Sequence, residues 1–418
     1  MITWPKFSTK ISKLVLVIST ILVLFVLYRQ AFNPLWRGHL EIDVWVWYQR
    51  MEYFFKNHSF FGLENNEFLP AALIYFFLAR LLAGWNNLNY SSYLSATLII
   101  NLFVILVAAI LVKKNSSSFQ TWIFLLLVLF FGPILLFRFD TLVALLVGLS
   151  IYLFQRQKLA QAGFCLGWAT AMKIYPIILL PYFLLVLTRQ FHRRRIFIFL
   201  AYFLLALLTP VIIFFLLGGN LRQILTALEF HALKYVSIES LPGSLFTATS
   251  IIFKHRPPAL LGGYGIWGIT TPFIKSIGLS FFNYLWLYPV GIFYLYLFKN
   301  KNLLKQLNVS VLFLLVLLFL VFSKNLHSQY IWWFLSLFPF IKFRSANKLK
   351  YLFMIILLIF ISIFNQLVYP LFYTQFIEDF YQHNFHYEVF YALLLRNLLI
   401  VALLIVSLRK ALTKKTTE

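Results

Sequence analysis

Acidic residues are scarce in this chain of 418 residues: 12 Asp plus Glu stand against 36 Lys plus Arg. Two of them, Glu41 and Asp43, follow the first apolar stretch, in "HLEIDVWVWYQRMEYF". A carboxylate placed there can accept a proton from a hydroxyl, the work of a general base. On a helix the two side chains would point about 200° apart, and in extended chain the same way. Trp45, Trp47, Tyr48, Tyr53, Phe54 and Phe55 follow, which reads as an amphipathic helix lying in a membrane interface. A solvated loop carboxylate is the plainer alternative for either acid.

The other chemistry-bearing residues come in short groups. "RFD", Arg138 to Asp140, sits at a tight turn between two apolar runs. It is either a structural ion pair or an arginine that holds a phosphate beside an aspartate that orients that phosphate or a sugar hydroxyl. Lys173, in "AMKIYP", ends one apolar run just before Pro176 opens the next. A compact ammonium suits a phosphate; snorkelling to the interface is its ordinary alternative. "EFHALKYVSIESLPGS" carries His231, Lys234, Glu239 and Ser240, and helical spacing would put His231 and Lys234 on one face. "SKNLHSQYIWW" carries Lys324, His327, Gln329 and Tyr330. Two histidines, each near a lysine, incline towards anion binding.

Cofactor signals are few. No zinc-protease, P-loop or hydrolase-elbow pattern occurs. In "EDFYQHNFHYE", His383 and His386 lie near Glu378, Asp379 and Glu388 and could seat a divalent cation, although a hydrated rim loop fits the stretch better. No cofactor is required by the pattern; a divalent cation is the one left open.

These residues must be positioned by apolar elements. The chain is 62% hydrophobic and 11% charged, where soluble domains carry about 25% charged residues. Runs of roughly 17–20 apolar residues recur, each long enough to cross a bilayer as a helix. The runs do not alternate as barrel strands do. An all-α polytopic membrane protein follows, one integral domain over residues 1–418. The net charge of +24 is gathered into clusters between the runs, such as Lys113-Lys114, Arg193 to Arg195, Lys342 with Arg344, and Arg409-Lys410. That is a topology signal and not a nucleic-acid patch. The single cysteine, Cys165, excludes an intramolecular disulfide. Residues 14–32 read as a retained first span and not as a cleaved signal.

Placing every basic cluster in the cytoplasm gives about twelve spans, within a range of 11–13, and cytoplasmic termini with a tail at 409–418. The first outer loop is then 33–67, the long outer segment 218–280, and 330–341 counts as a span. Residues 68–85 resist: they are short or re-entrant, or else 139–155 or 159–172 is incomplete. The trace gathers Glu41, Asp43, Arg138, Asp140, Lys173, His231, Lys234, Glu239, Lys324, His327 and Gln329 on one side, near the ends of apolar runs. Ionisable groups at membrane depth tend to be functional. The pattern suggests a cavity at the outer leaflet. A transporter or flippase of anionic lipid or sugar would place polar groups near mid-membrane in matched halves. A polysaccharide ligase or polymerase would favour one large outer loop late in the chain.

The order of motifs resembles the membrane glycosyltransferases of family 87 (the DUF2029 group), which includes polyprenyl-phosphomannose-dependent mannosyltransferases. The matching order is an acid after the first span, "RFD", "GWATAMKIYPIILLP", "FHALKYVSIESLPGSL" and "SKNLHSQYIWW". The first loop, "EIDVWVWYQR" then "EFLPAALIYFFL", is also similar to the mannosyltransferase of GPI-anchor assembly. The resemblance covers residues 14–342 and is most specific in "KIYPIILLP" with "IESLPGSL". It implies a GT-C fold and inverting transfer of a hexose, usually mannose. The donor would be a polyprenyl-phosphate sugar, the acceptor a lipid or glycan, and the site the outer face of the plasma (inner) membrane. It puts the catalytic acid on Asp43, the K-x-x-P lysine on Lys173 and the late histidine on His327. Arg138, Asp140, His231, Glu239, Lys324, Gln329, Tyr330 and Glu41 are the remaining candidates for donor-phosphate or substrate contacts. The chain has "FLP" (Phe68 to Pro70) where many relatives have Tyr-Pro-Pro, and "RFD" where many have a Gly-Gln turn.

Overall fold

The structure is a computed structural model that describes residues 9–60, 67–84, 89–190, 193–263, 265–341, 348–381 and 387–412. Lys342, Arg344, His383, His386 and the tail from residue 413 lie outside them. Helices dominate, and many start where the sequence supplies a cap. Asn33 accepts from the Leu35 N–H with Pro34 at the first helical position, Asn89 accepts from the Ser92 N–H, and Ser117 with Gln120 forms a capping box.

Seven helices among the described residues are long and apolar enough to cross a membrane: Lys13–Ala31, Tyr90–Asn115, Ser118–Leu136, Arg193–Leu216, Leu279–Lys299, Lys348–Leu371 and Tyr387–Arg409. Shorter apolar helices fill the spaces between them, at Pro70–Ala83, Asp140–Gln155, Tyr175–Gln190 and Val309–Phe322. The resistant stretch 68–85 is one of these: a helix of 14 residues, about 21 Å long against a hydrocarbon core of about 30 Å. Leu159–Met172 also has only 14 residues.

The expected span 330–341 is not a spanning helix. It is a chain of short turns, Ser328–Ile331, Trp332–Leu335 and Phe338–Phe340, with Trp332, Trp333, Phe334 and Phe338 all buried. Pro339 cannot continue a helix from the preceding turn, and the aromatic bulk is packed inside the bundle instead of along its surface.

Two packing arrangements aim the site. Gly163 and Gly167, four residues apart on Leu159–Met172, face the carbonyls of Phe199 and Phe203 on Arg193–Leu216, where an added Cβ would collide. Small residues at this spacing let two helix backbones approach closely. The helix stops at Lys173, whose backbone is extended (φ −154, ψ 133); a helix running on through Pro176 would clash with the Met172 carbonyl and leave it without a donor. The second arrangement is the first-loop helix Pro34–Asn57. It buries Leu40, Val44, Trp47, Tyr48, Met51 and Phe54, one stripe of a helix. Trp47 stacks on Phe76 at 4.7 Å and meets the edge of Phe139 at 5.7 Å. Asp43 is one turn before Trp47 on the same face, so this contact delivers it to the turn that carries Arg138.

The long segment 218–280 adds a feature that apolar periodicity does not announce. Helix Leu221–Leu233 leads into a three-stranded antiparallel sheet in which Ile266–Thr270 lies between Val236–Ser237 and Ala259–Gly263. Val236, Ile238 and Ile269 of this region pack with Val368, Phe376 and Phe390 into a second, smaller core.

Candidate active site

A cavity of about 1210 Å³ opens where these elements meet. It is lined by Asp43, Arg138, Asp140, Lys173, His231, Glu239, Lys324, His327, Gln329 and Tyr330, together with Glu67, Lys234, Tyr369 and Tyr373. All the candidate site residues except Glu41 therefore share one wall or another of a single space. Its size accommodates a substituted sugar with room for a second substrate.

Glu41 is the candidate that does not line the cavity. Asp43 faces the cavity, and Glu41 turns away to bond the Arg37 guanidinium at 2.7 Å, one turn earlier. It is neither a tuning partner of Asp43 nor a free carboxylate.

Arg138 and Asp140 do not pair with each other. Arg138 Nη1 lies 3.0 Å from Asp43 Oδ2 and also donates to the carbonyls of Leu40 and Phe137, both at 3.1 Å, while Nη2 donates to the Tyr369 hydroxyl at 2.6 Å. The arginine side chain is 5% exposed and the aspartate 42%, so Asp43 is held from the protein side and open on the cavity side. Tyr369 reaches Arg138 because the helix that starts at Lys348 breaks at that residue (φ −141, ψ 123). Asp140 Oδ1 accepts from Lys173 Nζ and from Trp333 Nε1, both at 2.6 Å, and Asp140 Oδ2 is buried with no hydrogen-bond partner.

Lys173 does not snorkel. Its ammonium sits over the rings of Tyr330 at 4.6 Å, Phe139 at 5.1 Å and Trp333 at 5.3 Å. Tyr330 and Trp333 belong to a continuous aromatic wall: Trp333 stacks on Tyr175 at 3.8 Å and on Tyr330 at 4.2 Å, Phe319 follows at 6.3 Å, and Trp286 edges onto Phe319 at 5.0 Å.

Lys324 is engaged with backbone. Its Nζ donates to the carbonyls of Ala232 at 2.7 Å and Lys234 at 2.5 Å, satisfying the free end of helix Leu221–Leu233. His231 and Lys234 do not share a helical face, because the helix ends at Leu233 and Lys234 is its extended cap (φ −53, ψ 136). Both nevertheless line the cavity. The histidines are not cations. Burial, helped by the nearby Lys234 and Lys173, pushes His231 down to about 3 and holds His327 well below the usual imidazole range. At neutral pH each offers one donor and one acceptor and no charge.

Three participants lack a local signature. Tyr369 and Glu67 are unremarkable in sequence. Arg396 is announced only by "LLLRNLLI", a charge inside an apolar run. Arg396 is fully buried, lies 3.6 Å from Glu239 Oε2, and donates to the Glu239 carbonyl at 2.6 Å and to Asn365 Oδ1 at 3.0 Å. Asn397 adds bonds to the Glu239 carbonyl at 3.1 Å and to the Ser244 hydroxyl at 2.9 Å, and the Ser328 hydroxyl donates to Glu239 Oε2 at 2.9 Å. Glu239 therefore reaches the cavity already neutralised from behind. Among the described residues no group of three or more metal-ligating side chains occurs.

Residues 137–239 match the family model Mannosyltransferase (PIG-M), a GT-C-type family. The match spans about a quarter of the chain and includes Arg138, Asp140, Lys173, His231, Lys234 and Glu239, six of the charged or titratable residues at the cavity. It does not reach Asp43, and it gives the family 87 resemblance no support. No curated protein matches the chain. The apolar helices and the match to a mannosyltransferase family model over residues 137–239 together support an integral membrane glycosyltransferase.

Proposed function

We propose that the enzyme transfers mannose from a polyprenyl-phosphate donor to a lipid or glycan acceptor, at the outer face of the membrane and with inversion. The observation that carries the lipid-linked donor is the composition of the cavity lining. Ile174 and Ile177, 42% and 41% exposed, line the same space as Lys173 and Asp140, together with Trp286 and Phe319. A cavity that combines charged groups with exposed apolar side chains suits a phosphate with a hydrocarbon tail. A nucleotide would ask for polar groups along its whole length.

In this reading Asp43 takes the proton of the acceptor hydroxyl, whose oxygen bonds to the anomeric carbon. The bond from that carbon to the phosphate oxygen breaks on the opposite side, and polyprenyl phosphate leaves with the electron pair. Arg138 holds Asp43 in place, and Lys173, oriented by Asp140 and the aromatic wall, faces the departing charge. Cations fixed before the reaction stabilise such a charge without reorganising. In the proposed arrangement residues 33–67 and 218–280 lie with the cavity on the outer face.

Purified protein given radiolabelled polyprenyl-phosphate mannose is expected to form a labelled acceptor product, and to form none from guanosine-diphosphate mannose. Transfer from the nucleotide sugar alone would sink the donor assignment. A pH dependence accompanies it. Burial pushes the Lys234 and Lys324 ammonium groups down to about 8. Both are charged below that value and lose their charge as pH rises through it. KM for the anionic donor should therefore rise between pH 7 and 9 by more than kcat changes. A flat KM over that interval would contradict it.

A further inference from the structure

The cavity's cations are not equivalent. Arg138 is paired with Asp43 and three further oxygens, Lys173 with Asp140, and Lys324 with two backbone carbonyls. Lys234 is the exception. It is 6% exposed, it lines the cavity, and among the described residues it has no ion pair or side-chain hydrogen bond; its Nζ lies 5.2 Å from the ring of Phe230. A desolvated charge with no partner is costly, and it persists where something else compensates it. The backbone beneath it is tied down from both sides. Lys324 Nζ holds the carbonyls of Ala232 and Lys234, and the Lys324 carbonyl accepts the Ser237 N–H at 2.9 Å. Lys324 is thus a positioning residue for Lys234, and the stretch between helix and strand presents one ammonium towards the cavity.

We propose that Lys234 is the primary binding residue for the phosphate of the substrate, with Lys324 fixing its backbone. The assignment rests on the lipid-phosphate reading above and deepens it: the ligand is a phosphate ester whose negative charge increases when the sugar leaves. Burial, with Lys173 and Lys324 acting in the same direction and Asp43 and Glu67 opposing, makes the ammonium unusually ready to lose its proton when the cavity is empty. A bound phosphate reverses that tendency.

The test uses the full-length protein in detergent and radiolabelled polyprenyl monophosphate without sugar, with labelled guanosine diphosphate as the parallel probe. Wild type, Lys234→Met, Lys234→Arg, Lys324→Met and Asp43→Asn are compared. Wild type should bind the lipid phosphate saturably. Lys234→Met should weaken binding at least tenfold, Lys234→Arg should restore it to within about threefold, and Asp43→Asn should bind no more weakly than wild type. Lys324→Met should weaken binding and also lower the melting temperature, because it frees two helix-end carbonyls. Equal binding by wild type and Lys234→Met overturns the role of Lys234 and leaves the lipid donor standing. Binding of guanosine diphosphate in place of the lipid, lost in Lys234→Met, keeps the anion site and overturns the lipid reading. No binding of either probe by wild type overturns both. If Lys234→Met does not fold, Lys234→Gln against Lys234→Arg makes the same comparison between neutral and charged side chains.

Discussion

Asp43→Asn lowers turnover by about 10²–10⁴-fold, the usual contribution of a general base, and leaves donor affinity intact. The geometry explains why the two effects separate. Arg138 keeps its bonds to the carbonyls of Leu40 and Phe137 and to the Tyr369 hydroxyl when the carboxylate becomes an amide. The cavity wall therefore stays in place, and the released positive charge works in favour of an anionic donor. Turnover and equilibrium binding of labelled polyprenyl-phosphate mannose, measured on the same preparations, check this. Near-wild-type turnover would remove Asp43 from the chemistry. A parallel loss of binding would turn it into a substrate-holding residue.

Arg396→Leu destabilises the protein by about 3–5 kcal/mol, because removing one partner of a buried ion pair leaves the other uncompensated. Here the stranded group is Glu239, 4% exposed, whose carbonyl also loses the Arg396 bond at 2.6 Å. The double variant Glu239→Gln with Arg396→Leu should recover part of the loss, since a neutral amide needs no counter-charge. Thermal denaturation in detergent compares the three proteins. A melting temperature unchanged in the single variant, or no recovery in the double one, would show that the pair does not support the fold. The same network carries Ser328, so the single variant is also expected to disturb the loop that bears His327 and Tyr330.

Much of the cavity's charged lining was legible because polar residues are few and each has to be accounted for. Asp43, Arg138, Lys173, His231 and His327 stand out against an apolar background, and they stand at the ends of apolar runs. Helix starts were legible for the same kind of reason: a capping side chain such as Asn33 or Asn89 acts on its immediate neighbours. The span at 330–341 was misjudged because hydropathy measures transfer out of water. It does not distinguish a helix that meets lipid from aromatic turns buried inside a bundle.

The sequence by itself determined a helical membrane protein and named most of the charged side chains that line its cavity, since composition and the ends of apolar runs are local properties. Only the tertiary structure decided which charges meet. Glu41 and Asp43 part company because a helix turns them to different faces, one towards Arg37 and the other towards Arg138. Arg138 and Asp140, two residues apart, choose different partners, Asp43 and Lys173. Lys324 is engaged with backbone, and among the described residues Lys234 forms no ion pair. Those outcomes depend on contacts such as Trp47 against Phe139, made between residues 92 apart in the chain. Local spacing carries no information about them, because an ion pair forms wherever packing brings two charges within reach.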